Sequence, residues 1–447
     1  MSELNQVTSK DPATSLKPKS KGETGSVFVS NYPPFSHWNQ ESVSDALKVM
    51  NQEPDNSRKL GLYLHIPFCR KRCNFCYFKV YTGKNSQEIS TYLGALKKEI
   101  ELQSKMKAFA NQEIEFVYFG GGTPSFISEN HLKEVMATLT SSFEIEKVKE
   151  FAFECEPGTL SRKKLATIKE LGVTRLSLGV EHFNDKILEI NGRAHRTKEI
   201  NKVRPFIAEQ NFDQLNIDLI AGLIGENWDS WKDTVEKTID YDPDSITVYQ
   251  LELPYNAVFS QRLRDGEKNI SIPDWNQKRE YNAYAIEQFQ KAGYEISSAY
   301  TMAKKNAKFI YRDSLWQGAN MLAFGVASFG HVNGVHYQNN GNWDDYVGQL
   351  NEDKLPLYRA LVLSEKEQLT RELILQLKLG QISVKYFQDK FGTNILSEYF
   401  SAFEDLKNMK MLETDDEYVR VTHEGLLRVD ELLPAFYENK YRESRYT

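Results

Sequence analysis

From residue 61 onward, short apolar runs alternate with longer stretches whose apolar positions recur at helical spacing. Residues 61–66 (GLYLHI), 115–119, 151–154, 175–180, 214–220 and 245–251 have the length and side-chain types of strands. Between them, residues 86–105 set Ile89, Leu93, Leu96 and Ile100 on one helical face, and 130–141, 161–171, 198–210 and 230–241 read as further helices. This alternation predicts an α/β fold with a parallel sheet. The runs are apolar along most of their length, as expected of strands covered on both faces. Open doubly wound sheets and barrels both fit, and in either case ligands bind at the carboxyl ends of the strands.

The pattern changes after residue 274. Residues 275–292 are helical, 322–331 (LAFGVASFGH) are apolar and glycine-containing, 364–417 are helix-rich, and a short strand at 418–421 precedes a helix at 422–433. A small, mainly helical C-terminal unit is expected. A winged-helix arrangement is open, but the acidity of 404–417 speaks against DNA. At the other end, residues 1–26 are polar and are expected to be disordered. Residues 27–38 carry Phe28, Tyr32, Pro33, Pro34, Phe35 and Trp38. Such a segment packs on another domain or serves as a lid. The expected division is 1–57 for tail and aromatic segment, 58–345 for the main unit and 346–447 for the C-terminal unit.

The chain of 447 residues has a formal net charge of -6. That balance gives no general attraction for nucleic acid or anionic membrane. No apolar run is long enough for a membrane span. Residues 1–26 lack the apolar core of a signal peptide and contain Glu3, Asp11 and Glu23 with no arginine. A cytoplasmic location is expected.

The four cysteines are Cys69, Cys73, Cys76 and Cys155. The first three form a C-x3-C-x2-C loop directly after the first strand, a spacing that points to a metal or redox centre rather than a disulfide framework. A cubane 4Fe-4S cluster normally takes four thiolates, so three leave one iron open. Zinc held by the three thiolates plus His65 or a water is the alternative. Arg70, Lys71 and Arg72 inside the loop are expected to lower the thiol pKa values, or else are a solvated basic run. Cys155 reads as a small buried hydrophobe.

Further motifs follow at the strand ends. Gly120-Gly121-Gly122-Thr123-Pro124 comes after the second strand, where adjacent glycines let backbone approach a ligand closely. Glu154 ends the third strand, and a carboxylate there suits a ribose diol. Then come RLSLGVE ending at Glu181, Arg193, Asn216-Ile-Asp218, residues 248–254, and 322–338. With the cysteine loop, these motifs resemble the radical S-adenosylmethionine (SAM) superfamily. Within it they resemble the oxygen-independent coproporphyrinogen III oxidase family, from about residue 59 to the C-terminus.

The resemblance implies a partial (β/α)6 TIM-like barrel with its site at the C-terminal mouth, an N-terminal extension and a mainly helical C-terminal domain. It implies a 4Fe-4S cluster on Cys69, Cys73 and Cys76, with SAM held by Gly121, Gly122, Thr123, Glu154, Glu181, Arg193 and Asp218. Tyr63, Phe75 and Val332 are further implied contacts. The implied activity is oxidative decarboxylation of propionates on a coproporphyrinogen III-like tetrapyrrole in porphyrin and haem biosynthesis. The implied electron donor is a flavodoxin or ferredoxin. The rivals are a haem chaperone of the same family, for which His331 and His336 are candidate axial ligands, and a radical SAM methylase or haem-modifying enzyme. Two positions depart from the family pattern. Phe78 stands where many members have a further cysteine, and Glu181 where glutamine is frequent.

Overall fold

The computed structural model describes residues 32–267, 270–442 and 444, so the polar stretch 1–26 and Phe28 lie outside the described residues. The six expected strands form as β1 (Leu60–Ile66), β2 (Ile114–Gly121), β3 (Glu150–Cys155), β4 (Arg175–Glu181), β5 (Gln214–Ala221) and β6 (Ser245–Gln250). They lie side by side in chain order and pair in parallel. The crossovers carry the helices Ser86–Ser104, Glu129–Ser142, Arg162–Glu170, Thr197–Gln210 and Trp228–Tyr241. The first of these starts at Asn85, whose side chain accepts from the Glu88 amide while Glu88 accepts from the Asn85 amide, so two orphan donors are satisfied.

The strands are apolar on one face only, which corrects the expectation of two. Leu62, Leu64, Val117, Phe119, Phe151, Phe153, Leu176, Leu178, Ile217, Leu219, Ile246 and Val248 are buried in the main core. The alternate positions carry Tyr63, His65, Tyr118, Glu154, Ser177, Glu181, Asn216, Asp218, Thr247 and Tyr249. Side chains two apart share a face, so these line the inside of the arc. Polar groups are tolerated there because they bond each other. Asn216 Nδ2 donates to Ser177 Oγ (3.0 Å) and Asp218 Oδ1 (3.0 Å), and Asn216 Oδ1 accepts from Ser245 Oγ (2.9 Å) and Thr247 Oγ1 (3.1 Å).

The sheet continues beyond these six strands on both sides. β7 (Glu295–Ser298) and β8 (Thr301–Ala303) add antiparallel beyond β6, while β9 (Asn320–Phe324) pairs parallel with β1. β10 (Phe329–Val332), β11 (Val335–Asn339) and β12 (Leu357–Val362) follow as antiparallel strands. The result is a mixed twelve-stranded sheet whose middle is the partial barrel. No helix among the described residues is long and apolar enough to cross a membrane.

β12 belongs to this sheet, so the second core begins near Ser364 rather than at 346. It is built on the helices Glu365–Leu377, Val384–Phe391 and Phe400–Asn408 and a small antiparallel sheet of β13 (Gln381–Ser383), β14 (Leu412–Thr414) and β15 (Tyr418–Val421). Tyr32 is buried in that second core, with its ring against Tyr437 and Tyr441. Trp38 stacks on His336 at 4.9 Å, and Asn39 bridges to Ala360 on β12. The described part of the aromatic segment is therefore a strap joining the C-terminal unit to the sheet edge, not a lid. His331 and His336 are buried with their Nδ1 atoms 3.0 Å apart, and His336 Nε2 meets the Tyr32 carbonyl at 2.9 Å. They are packed residues of this junction.

One buried carboxylate ties the closing strands to the barrel. Glu99 accepts from Tyr346 Oη (2.6 Å), the Gly325 amide (2.8 Å), Asn339 Nδ2 (2.6 Å) and Gln103 Nε2 (2.9 Å). Burial outweighs these bonds and raises its pKa from 4.5 to about 7. The folded chain thus holds a proton that the unfolded chain releases between 4.5 and about 7, and the contribution of Glu99 to stability declines as pH rises through that window. Glu99→Ala is expected to cost about 3 kcal/mol through unsatisfied donors. The gap in melting midpoint between the two proteins should be wider near about pH 5 than near about pH 8. Parallel pH profiles for the two proteins would contradict this account.

Candidate active site

β1 delivers the chain through Pro67 and Phe68 into the cysteine loop. The loop closes on itself: the Tyr81 amide donates to Pro67 O (2.7 Å) and the Cys69 amide to Tyr81 O (3.1 Å). Distant segments grip its middle. The Asn74 amide donates to Asn191 O (3.0 Å), Asn74 Nδ2 to Ile190 O (2.8 Å), and the Phe259 amide to Asn74 O (2.9 Å). Arg70 forks onto Glu156, with Nη2 to Oε1 at 3.0 Å and Nε to Oε2 at 3.1 Å. Glu156 also meets His195 Nδ1 at 3.0 Å. Burial works to raise the Glu156 pKa, but the hydrogen bonds from His195 and Arg70 outweigh it and hold the carboxyl at about 2.

Cys69, Cys73 and Cys76 are free thiols, partly buried. Thr123 Oγ1 lies 3.4 Å from Cys69 Sγ, and Arg193 Nη1 donates to Cys73 Sγ at 3.3 Å. Burial pushes the Cys69 thiol up to about 11 and the Cys76 thiol up to about 12. The expected lowering by the basic run is overturned. Arg70 is committed to Glu156, Arg72 spends itself on the carbonyls of Cys76 and Asn256, and desolvation outweighs what charge remains. Cys155 is buried in the main core, and burial raises its pKa.

The glycine run sits where a side chain would collide. Gly121 has φ +116, and a Cβ there would stand 2.7 Å from the His65 ring; one at Gly122 would stand 2.8 Å from the Pro67 carbonyl carbon and 3.0 Å from Cys69 Sγ. The Gly121 amide donates to Glu154 Oε2 (3.2 Å), and Tyr118 Oη to Glu154 Oε1 (2.7 Å). Tyr63 stacks on Tyr118 and meets His65 Nδ1 at 3.1 Å. Burial lowers the His65 pKa to about 4, so the ring is neutral.

Three carboxyls thus converge from β3, β4 and β5. Glu181 has φ +65, and its Oε1 lies 3.3 Å from Arg193 Nη2. Asp218 accepts from Ser177 Oγ (2.7 Å) as well as Asn216. Burial raises Glu154 and Glu181 to about 7 and lifts Asp218 above its ordinary value, and the charge of Asp218 adds to the rise of the other two. Arg193 Nε and His65 Nε2 are buried without a hydrogen-bond partner.

Phe75 is half-buried against a separate apolar cluster of Ile187, Ile220, Leu223, Ile224, Leu251 and Phe259. Val332 is not brought to the site. It lies at the turn of the β10–β11 hairpin, next to His331, which pairs with Met321, while Leu60 pairs with Asn320. That is the start of β1, about 20 Å of strand from the loop at its end. Glu156, His195, Tyr118 and the part played by Ser177 escaped the reading of the sequence. The Glu154-Cys155-Glu156 spacing was the available signal for Glu156, since period two sends both carboxyls to one side.

The Radical SAM superfamily model matches residues 63–238, from Tyr63 on β1 through the helix Trp228–Tyr241. The chain carries a radical SAM domain. A HemN C-terminal domain model matches residues 363–428, within the second core. The haem chaperone HemW of Bacillus subtilis (strain 168) is 29% identical to this radical SAM chain, over 84% of it and 98% of the relative. The oxygen-independent coproporphyrinogen III oxidase of a Synechocystis species is 23% identical over 96% of each chain. Among solved structures, the coproporphyrinogen III oxidase (HemN) of Escherichia coli superposes with a TM-score of 0.79 at 22% identity, covering 91% of this chain and 96% of that one. That likeness is one of fold.

The cofactors of a radical SAM domain are a 4Fe-4S cluster and SAM, and the residues present fit them. Three unpaired thiols project from one loop, the Gly122 backbone leaves room beside Cys69, and two orphaned polar atoms face inward. Among the described residues no three His, Cys, Asp or Glu side chains are gathered as tightly as a single ion requires. Gly122→Ala places a methyl against Cys69 Sγ and the Pro67 backbone. After anaerobic reconstitution, bound iron and sulfide per chain are expected to fall about tenfold while the far-ultraviolet spectrum stays unchanged. Full iron loading in this variant would show that the glycine is not needed for the centre.

Proposed function

We propose that the protein cleaves SAM reductively at a cluster on Cys69, Cys73 and Cys76 and turns the radical on a tetrapyrrole, removing propionate carboxyls as an oxygen-independent coproporphyrinogen III oxidase does. The observation that carries this reading is the meeting of three free thiols with Arg193 and the carboxyls of Glu154, Glu181 and Asp218 at the ends of parallel strands. When bound, the cluster and SAM supply a 5′-deoxyadenosyl radical on receipt of one electron from a flavodoxin- or ferredoxin-type carrier. The chain's own residues position and shield. The Gly121–Gly122 backbone accommodates the amino acid end of SAM, and Glu154 and Asp218 offer acceptors to ribose hydroxyls. Arg193 braces Cys73 and Glu181 together.

Glu181 stands where related chains often carry an amide, and its raised pKa reconciles the two. An ionised carboxylate only accepts, whereas a protonated one also donates, as an amide does. At about 7, Glu181 keeps its proton for much of the time at neutral pH. SAM affinity is therefore expected to weaken as pH rises above about 7, and Glu181→Gln to flatten that dependence. Equilibrium dialysis of reconstituted protein against labelled SAM checks this; a wild-type affinity independent of pH would refute it.

A second reading keeps the same site but makes the protein a haem carrier. The HemW of Bacillus subtilis is covered over 98% of its length, and Phe78 replaces the further cysteine. Anaerobic incubation with SAM, reductant and coproporphyrinogen III separates the readings. The oxidase reading expects 5′-deoxyadenosine together with a porphyrin product lighter by carboxyl groups. Haem binding without any tetrapyrrole product would favour the carrier, and 5′-deoxyadenosine with a methylated or ring-opened tetrapyrrole would assign a different radical reaction.

A further inference from the structure

Large apolar side chains are exposed at eight described positions, and four of them cluster at one end of the barrel. Phe78 is 44% exposed, Tyr249 46% and Tyr255 68%, with Ile272 nearby on the segment whose Ile270 packs on the cluster beside Phe75. These residues are physically linked. The Phe78 ring stacks on Tyr77 at 4.4 Å, Asn256 Nδ2 donates to Tyr77 O at 3.1 Å, and Arg72 bridges the carbonyls of Cys76 and Asn256. Arg264 lies 3.9 Å over the Tyr255 ring and donates to the Tyr255 carbonyl, which fixes that exposed ring in place. Tyr249 lies within electrostatic reach of Tyr77, Asp218, Glu154 and Glu181.

We infer that this rim is the platform for a flat tetrapyrrole bearing carboxylates, stacked on Phe78 and Tyr255 with its propionates on Lys79 and Arg264. The inference rests on the tetrapyrrole reading above and adds the surface that executes it. Exposed aromatic faces held beside a reactive loop gain by covering a large apolar ring. Lys79 and Arg264 make no ion pair among the described residues, so they are available to carboxylates. Lys79 and Arg264 lie at the rim, which draws the charged periphery of the ring there and leaves one edge of the macrocycle toward the thiol loop. Phe78 has a direct role in this arrangement: the position that carries a thiol in related chains here contributes a stacking face.

The test uses the full-length protein, reconstituted with its cluster, and two probes: coproporphyrin III, and its tetramethyl ester, which has the ring but no carboxylates. Binding is followed by porphyrin fluorescence under anaerobic conditions. Phe78→Ser with Tyr255→Ser, and separately Lys79→Glu with Arg264→Glu, change exposed side chains; Arg72 is left in place because it ties the loop. Each pair is expected to weaken coproporphyrin III binding about tenfold, with iron content and SAM affinity unchanged. The charge-reversed pair should bind acid and ester alike. Wild-type binding that neither pair alters would place the tetrapyrrole elsewhere and overturn the inference while leaving the function reading standing. Absence of porphyrin or haem binding to the wild type would overturn both. Loss of iron in Phe78→Ser/Tyr255→Ser would assign those rings to loop folding instead, and equal affinity of the wild type for ester and acid would remove the role given to the cations.

Discussion

Glu154, Glu181 and Asp218 sit on three neighbouring parallel strands and face the same interior space. Burial raises the pKa of each, and Asp218 repels the other two. Buried like charges are costly unless paired or protonated. Arg193 offsets part of the cost at Glu181, and Ser177 and Asn216 hold Asp218. The remainder is met by protonation, which lets a carboxyl there donate as well as accept. The same carboxyls explain why Arg193 is positioned so firmly, with contacts to Gly179 O, Glu181 and Cys73 Sγ at once. One guanidinium thus links the acidic floor to the thiol loop.

The loop itself is held by a second electrostatic chain. Arg70, Glu156 and His195 connect the middle of the cysteine loop to the end of β3 and to the Val180 carbonyl on β4. The fork of Arg70 on Glu156 is bidentate, which adds direction to attraction. Backbone bonds from Asn191 and Phe259 complete the grip. A loop that must present three thiols at fixed separations cannot rely on its own short span, so it borrows rigidity from β3, β4 and the helix Val258–Arg264. Arg70 and Arg72 inside the loop serve anchorage, and burial keeps the Cys69 and Cys76 thiols above their ordinary range.

The six parallel strands were legible because each buries a full apolar row, and their ends fall within about two residues of the apolar runs. The polar row was hidden in plain view. Tyr63 and His65, or Asn216 and Asp218, interrupt apolar runs too briefly to register as alternation until the arc shows that they share a face. β7 to β12 were missed for a different reason. They are three to six residues long, and their identity comes from pairing at the sheet's edges. The C-x3-C-x2-C loop was readable from spacing alone, and its three thiols are free in the structure. Val332 was not, since a position borrowed by resemblance in a variable closing segment carries no information about hairpin register. Glu156, His195 and the strap from Tyr32 to Trp38 act across more than thirty residues of sequence, and nothing local marks such pairs.

The interior of the barrel and its rim answer different demands. The interior has to hold a cluster and SAM, and the residues that do so are tied by backbone positions, glycine contacts and buried charge that tolerate little change: a methyl at Gly122 already meets a thiol. The rim is built from side chains with space around them, such as Phe78 beside Tyr77 and Tyr255 beneath Arg264. Substitution there alters what is bound without disturbing how the radical is generated. Relatives named as haem chaperone and as oxidase both align with this chain over most of their length. On the reading proposed above, the determinant of substrate belongs with the exposed aromatic and cationic groups outside the strand ends, Phe78 among them.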